Sequence, residues 1–267
     1  MLEPLPALRA PARPPSAYAR HLPAATAFTW LAAGWDDFRD RSWTSIAFGL
    51  LLVLLSYGVM VGLNMAHLLY LALPAISGFL IVGPFFAVGL YEKSRRRAAG
   101  EPFTLRDMLF VRPASGAQLA YAGLLLCLLV LFWLRAADLL YALFFGLTPY
   151  PGAGEALLNV FSSPKGWGLI IVGSAVGGLF AAFAFAISAF SVPMLTAKKT
   201  DALTALGLSF VMTTHNLKVA LAWAAIVVAG IVLSVTTALV GLVVIFPILG
   251  HGTWHAYTAI SGDDGRA

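Results

Sequence analysis

Long uninterrupted apolar runs constrain this chain more than any other feature of its sequence. Four of them are clearly separated and cover residues 45–63, 69–91, 119–134 and 169–195. A fifth stretch, residues 219–260, is too long for one crossing, because about 20 helical residues at ~1.5 Å each span the hydrocarbon core. We divide it into two helices joined by a turn near residues 234–241. The pattern predicts six transmembrane helices.

The composition also indicates that a bilayer is the solvent of this fold. Of the 267 residues, 60% are hydrophobic and only 11% are charged, whereas soluble domains are about 45–50% apolar and about 25% charged. So few charges cannot cover so much apolar surface in water. Cys127 is the single cysteine, which excludes an intrachain disulfide and a cysteine-based metal site.

The chain divides into three predicted segments. Residues 1–26 contain six prolines and three arginines without an apolar core of signal-peptide length, which is typical of a disordered cytoplasmic tail. Residues 27–260 form the six-helix transmembrane domain, and residues 261–267 form a short polar C-terminal tail. The predicted fold class is all-α, a polytopic membrane helix bundle built as three hairpins.

Lysine and arginine give these helices an orientation. With the N-terminus and the C-terminus in the cytoplasm, 15 of the 17 basic residues lie on the cytoplasmic side, and only Arg135 and Lys165 lie outside. Such asymmetry is the usual topology signal of membrane proteins. Basic residues beside apolar runs also suit anionic lipid headgroups. No soluble basic face is present, so nucleic acid is not an expected partner.

A short amphipathic stretch precedes each hairpin on the predicted cytoplasmic side. Before the first hairpin, one helical face carries Phe28, Leu31, Trp35 and Phe38. Thr104 caps a turn before the second hairpin, and similar spacing follows Thr200 before the third. Apolar residues three and four apart fit helices that lie in the interface plane. The returning helix of each hairpin contains a proline, at Pro84, Pro193 and Pro247.

Catalytic motifs are absent from the sequence. It has no Gly-x-x-x-x-Gly-Lys-Ser/Thr loop, no Gly-x-Ser-x-Gly elbow and no His-Glu-x-x-His zinc motif. No acidic residue falls at the predicted mid-membrane depth, where carboxylate-coupled transporters place one. We therefore expect a protein that is not an enzyme.

The most informative polar residues lie in the last predicted helix. His251 and His255 are four apart and share a face, Trp254 lies beside them, and Pro247, like Pro84, interrupts a helix. Imidazoles at such a site can bind a metal, ligate haem or relay protons, or they can hydrogen-bond polar neighbours and hold helices together. Two histidines make an incomplete metal site. We predict inward-facing rings, a packing role, no metal and no cofactor.

Two depths follow from counting residues. If the last helix begins near Gly241, His251 lies about 15 Å along it, near the midplane. Counted from Gln118, Arg135 lies about 26 Å along the third helix, near the outer boundary, with Asp138 on the same face. We interpret these two as an ion pair that ends the apolar span. The alternative is an outer contact for a ligand or partner.

Several stretches resemble a bacterial family of uncharacterised integral membrane proteins, a domain of unknown function. They are residues 30–38, residues 78–95 and the closing stretch 247–257, which has the form P-x-L-G-H-x-T-W-H-x-Y. The resemblance extends over nearly all of residues 27–260. It implies a six-helix protein of a bacterial inner membrane and carries no assigned activity.

Three functions are open. The first is a non-enzymatic accessory, scaffold or lipid-interacting protein, with membrane lipids and other membrane-protein subunits as partners. The second is a small-solute permease whose site lies at the proline-broken helices. The third is a haem or metal redox protein that uses His251 and His255. The missing mid-membrane carboxylate favours the first function over the second, and the missing third ligand favours it over the third.

Reporter fusions test the predicted topology. Because basic residues are retained inside, fusions after Glu101, Ala202 and Gly262 should report a cytoplasmic location, and fusions after His67 and Ala153 an external one. Activity of paired periplasmic and cytoplasmic reporters provides the measurement. An external location for residues 95–112 would contradict the whole topology.

Overall fold

The computed structural model describes residues 17–68, 72–146, 158 and 160–262. All regular secondary structure in these residues is helical, which confirms the predicted all-α class. The helices are α1 (Thr26–Arg39), α2 (Ser42–Met65), α3 (Ala72–Phe86), α4 (Val88–Ala98), α5 (Leu105–Leu109), α6 (Gly116–Phe145), α7 (Pro164–Ser188), α8 (Ser191–Ala197), α9 (Ala202–His215), α10 (Leu217–Thr236) and α11 (Leu242–Ser261).

Four described helical segments are long and apolar enough to cross a membrane. They are α2, α6, α10 and the segment Pro164–Ala197 that contains α7 and α8, and they coincide with the first, third, fifth and fourth predicted crossings. The second predicted crossing is divided between α3 and the charged helix α4. The sixth predicted crossing, α11, contains a proline and two histidines, which lower its hydropathy. Six crossings therefore stay a prediction.

Two local features of the sequence are confirmed at helix ends. Thr104 caps α5 in a reciprocal capping box, in which the Thr104 hydroxyl accepts from the amide of Asp107 and the Asp107 carboxylate accepts from the amide of Thr104. The turn between α10 and α11 lies inside the predicted range. It places Ala238 and Leu239 in the left-handed region, with φ of 51° and 69°, and Leu239 N–H donates to the carbonyl of Ser234 at 2.7 Å.

The helix α1 turns part of its predicted aromatic face outward. Its buried residues are Ala27, Trp30, Gly34, Asp37 and Phe38, whereas Phe28 and Trp35 are exposed. The inner face lies close to α11, since a Cβ on Gly34 would lie 2.5 Å from the carbonyl oxygen of Ile248 and 2.7 Å from the amide nitrogen of Gly252. Phe38 belongs to the predicted face and is buried, and the location of α1 in the interface plane stays a prediction.

The central helix of the bundle is α11, which packs against α1, α2, α4 and α10. It runs antiparallel to α2, because Gly49 of α2 lies against the backbone of Val243 and Ser45 lies against His251. Beside α10, the ring of Trp223 lies edge-to-face on Trp30 of α1, with ring centroids 6.0 Å apart.

Part of the predicted N-terminal tail is attached to this bundle. The amide of Arg20 donates to the side-chain oxygen of Asn216 at 3.0 Å, and its guanidinium donates to the carbonyl of Ile260 at 3.1 Å. The carbonyl of Tyr18 accepts from the Asn216 side chain. Structure therefore begins before residue 26. Residues 1–16 of the predicted tail and residues 263–267 at the C-terminus lie outside the described residues.

The starts of α2, α6 and α10 lie at one end of the bundle. Arg41, before α2, donates to the carbonyl of Phe103 at 2.8 Å, and Ser115, before α6, donates to the carbonyl of Lys198 at 2.9 Å. The start of α10 lies beside the end of α11 through the Arg20 contacts. We call this the basic end, because the lysines and arginines of α4 and of the α4–α6 and α8–α9 connections lie there.

Substitution of the two close-contact glycines should destabilise the fold. Gly34→Val and Gly49→Val place side chains against the backbone of α11, so each should lower the free energy of unfolding by about 1–3 kcal/mol. Gly58→Val is the matched control on α2, because a Cβ at Gly58 meets nothing within 4 Å. Reversible unfolding in detergent measures the difference. Equal stability of all three variants would contradict the packing described for α1, α2 and α11.

Candidate functional site

Seven polar side chains from α1, α2, α4 and α11 meet at the basic end. We call them the polar cluster: Asp37, Ser45, Lys93, Ser94, Arg97, His251 and His255. Five of them, all except Arg97 and His255, are at most 2% exposed. Buried polar and charged groups are costly unless each finds a partner. The contacts within the cluster therefore decide what it can do.

The imidazole of His251 is held on both of its nitrogens. Its Nδ1 lies 2.8 Å from the hydroxyl of Ser94 and 3.1 Å from the carbonyl of Leu90, and its Nε2 lies 3.1 Å from the hydroxyl of Ser45. A carbonyl only accepts, so we assign the proton to Nδ1. Ser45 then donates to Nε2 and accepts from the ammonium of Lys93 at 2.8 Å. A neutral imidazole satisfies all of these contacts.

The carboxylate of Asp37 is the acidic centre of the cluster. One oxygen accepts from Arg97, and the other lies 2.8 Å from Nε2 of His255. Burial alone would raise the pKa of Asp37, but hydrogen bonds from His255 and Ser94, together with the charge of His255, lower it to about 2. Asp37 is therefore ionised at neutral pH and fixes α1 against both α4 and α11.

Lys93 is fully buried at the opposite side of the cluster. Its ammonium donates to the carbonyl of Asp40 at 2.6 Å and to Ser45, and it lies 5.2 Å from the centre of the Phe103 ring. Burial lowers the pKa of Lys93 to about 8, against the attraction of Asp40 and Asp37. The hydrogen bonds run from Lys93 through Ser45 and His251 to Ser94.

The remaining charges of α4 are paired within the protein. Glu92 accepts from Arg95 at 2.9 Å and from Arg96 at 2.6 Å. These bonds lower the pKa of Glu92, although its burial acts in the opposite direction. Arg96 also lies 3.4 Å from Asp107, and Arg97 lies 3.1 Å from Asp40. Arg96 and Arg97, which belong to the predicted topology signal, thus also join α4 to α5 and to α1.

The structure brings together only part of the predicted site. His251 and His255 both belong to the polar cluster, but Trp254 is buried beside Tyr257 in the apolar core, with ring centroids 5.7 Å apart. Pro84 lies away from the cluster and lines a separate cavity. Pro247 is buried within α11.

The pair Arg135 and Asp138 lies on α6, outside the cluster. The guanidinium is 3.2 Å from the carboxylate, and both side chains are exposed. Among the residues that the structure describes, no group of three His, Cys, Asp or Glu side chains is placed to hold a metal ion.

The structure places His251 against the start of α2. It contacts Ser45, which belongs to the first turn of α2, and α11 begins beside Gly49. These contacts define the position of His251 relative to α2 and set no depth in a bilayer, so the midplane position stays a prediction.

Sequence reasoning missed Asp37, Lys93 and the two serines of the cluster. Lys93 follows an apolar run, where charged residues ordinarily mark a membrane boundary, and Asp37 lies within the amphipathic stretch before the first hairpin. A serine in an apolar helix usually bonds its own backbone. One signal could have identified part of the cluster: Ser94 and Lys93 are adjacent and lie in residues 78–95, one of the stretches that resemble the family.

Four apolar helices of membrane length, together with a buried ionic cluster at one end of the bundle, define an integral membrane protein. Residues 71–197 match the family described as "Predicted integral membrane protein (DUF2189)". The match covers a little less than half of the chain and confirms the resemblance to an uncharacterised membrane family. Comparison with curated proteins and with solved structures found no match.

The buried lysine should give stability a characteristic pH dependence. The pKa of Lys93 falls from an ordinary 10.5 to about 8, so the unfolded chain binds more protons between these two values. Stability should therefore rise with pH across this window, by at most about 1.4 kcal/mol per pH unit. Lys93→Met should remove the rise. Unfolding in detergent from about pH 7.5 to about pH 10.5, which covers the window between the two pKa values, measures it.

Lys165→Met is the matched control, because Lys165 is an exposed lysine far along the chain from the cluster. It should keep the pH dependence of the parent protein. Identical pH profiles for Lys93→Met and the parent would mean that the ammonium of Lys93 is not desolvated in the folded state.

Proposed function

We propose that this chain is a non-enzymatic, lipid-interacting protein of a bacterial inner membrane, with an accessory or scaffold role. In this proposal it crosses the bilayer six times, and both termini and the basic end lie on the cytoplasmic side. The observation that supports it most is a ring of exposed apolar side chains on the helices α1, α5 and α9. Each of these helices directly precedes a membrane-length helix.

The three helices expose apolar side chains in the same way. On α1 and the start of α2, the exposed aromatic residues are Phe28, Trp35 and Trp43. At the end of α5 the exposed apolar residues are Leu109 and Phe110, and on α9 they are Leu203 and Phe210. In water, a surface of this kind would be unfavourable. At a membrane interface, aromatic and leucine side chains enter the headgroup region.

Exposed basic residues accompany these apolar side chains. Arg39 ends α1, Arg106 lies on α5, Arg112 follows α5, and Lys199 precedes α9. Cationic side chains near a bilayer are attracted to the anionic lipids of the cytoplasmic leaflet. The ring therefore combines apolar insertion with electrostatic attraction, which is the composition of interfacial amphipathic helices.

The polar cluster has a supporting role in this proposal. The Asp37 carboxylate and the small residue Gly34 attach the inner face of α1 to the bundle. This attachment holds Phe28 and Trp35 outward. His251 and His255 then act as packing residues that position a lipid-contacting surface, with no bound metal required.

Depth-dependent quenching tests this proposal. In vesicles of phospholipid brominated near the carbonyl end of the acyl chain, Trp35 and Trp43 should be strongly quenched because they lie in the interface. The double variant Trp35→Phe and Trp43→Phe should lose about half of the quenched tryptophan emission, since these are two of the four tryptophans that are not buried.

Trp254→Phe is the control, because Trp254 is buried in the protein core and should contribute little to shallow quenching. An equal loss of quenching in the double variant and in Trp254→Phe would contradict the interfacial location of α1. Lipids brominated at the chain terminus should quench Trp35 and Trp43 less than lipids brominated near the carbonyl.

A further inference from the structure

A cavity of about 80 Å³ lies inside the bundle, separate from the polar cluster. Its walls are formed by residues of α3, α7, α10 and α11. They also include Ala87, where α3 gives way to α4, and Ala189, where α7 gives way to α8. The cavity therefore lies where two membrane helices are interrupted.

One proline withholds a hydrogen-bond donor at this position. Pro84 lies inside α3 and has no N–H to give to the carbonyl of Leu80. Both Leu80 and Pro84 line the cavity. A helical acceptor thus loses its usual donor beside this space. A backbone acceptor inside a membrane protein needs a partner from another source.

Two hydroxyl groups beside the cavity also need a hydrogen-bond partner. Tyr91 and Ser188 line the cavity and are 1% and 2% exposed. Neither hydroxyl forms a hydrogen bond with any residue that the structure describes. Buried hydroxyls are nearly always paired in folded proteins. Their position indicates that the partner is a molecule in the cavity.

The walls also restrict the charge and size of that molecule. No lining residue is charged, and the walls include the aromatic side chains of Phe79, Phe185, Trp223 and Phe246. An ion would lose its hydration there without compensation. Since one water occupies about 30 Å³, the volume accommodates one organic molecule of a few heavy atoms.

We propose that this cavity is a binding site for a small uncharged organic molecule with one hydrogen-bonding group, of the size of a short alcohol. The apolar part of the ligand contacts the aromatic walls. Its hydroxyl or amide donates to a released carbonyl or to Ser188 and accepts from the hydroxyl of Tyr91. A site of this class fits the passage or sensing of small neutral solutes within the membrane.

Ligand-observed saturation-transfer NMR in lipid nanodiscs tests the proposal with two isomeric probes, ethanol and dimethyl ether. Only ethanol can donate a hydrogen bond, so the signal above that of empty nanodiscs should be several-fold larger for ethanol. Tyr91→Phe removes one hydroxyl and should weaken ethanol binding about fivefold. Tyr121→Phe, an exposed tyrosine on α6, should leave binding unchanged.

Filling the cavity provides the second arm. Gly83 lines the cavity, and a Cβ at this position meets nothing within 4 Å, so Gly83→Val should fold and abolish the ethanol signal. Gly83→Ala should reduce the signal partially if the valine variant folds poorly. Gly58→Val, outside the cavity and with the same free space, should bind like the parent.

Each arm has an outcome that overturns the proposal. An ethanol signal that persists in folded Gly83→Val would show that the ligand does not occupy this cavity. Equal signals for ethanol and dimethyl ether, unchanged by Tyr91→Phe, would show that no hydrogen bond selects the ligand. Loss of the signal in Gly58→Val as well would trace the effect to the bundle as a whole.

Discussion

The arrangement of this bundle depends on the burial of one carboxylate. Asp37 is almost completely removed from solvent, and an ion in such a place must be neutralised by partners in fixed positions. Arg97 of α4 and His255 of α11 provide these partners. Because the three groups come from three helices, the charge requirement sets the position of α1 relative to α4 and α11. Removing one partner would leave the others uncompensated.

Around this centre, backbone packing and proline have opposite consequences. Glycines at positions 34 and 49 bring α1 and α2 against the backbone of α11, and the polar groups between these helices are closely paired. Pro84 interrupts a helix further into the bundle, where space remains. The polar cluster is therefore a satisfied structural network, whereas two hydroxyls at the cavity have no hydrogen-bond partner among the residues that the structure describes. This contrast is why we assign packing to the first and ligand binding to the second.

How well the sequence predicts each feature depends on the distance over which that feature is specified. The Thr104 cap and the turn near residue 238 involve neighbours only three to five residues apart, and both were predicted. The cluster joins Lys93 to Ser45 across 48 residues and His255 to Asp37 across 218 residues. No periodicity encodes such pairs. The side of α1 that packs against α11 was not predicted for a related reason, since aromatic residues suit lipid as well as a core.

The sequence by itself determined that this chain is a helical membrane protein, where most of its apolar helices run, and that surface helices precede them. The hydropathy of a helix-length segment is a local property of the sequence, and it directly determines whether that segment is stable in the hydrocarbon core of a bilayer. Only the tertiary structure decided which side of α1 faces the bundle, which helices lie against His251 and which polar groups meet. These outcomes depend on the closest approach of backbones at Gly34 and Gly49. They also depend on the need of each buried charge for a partner, which only the assembled helices can supply.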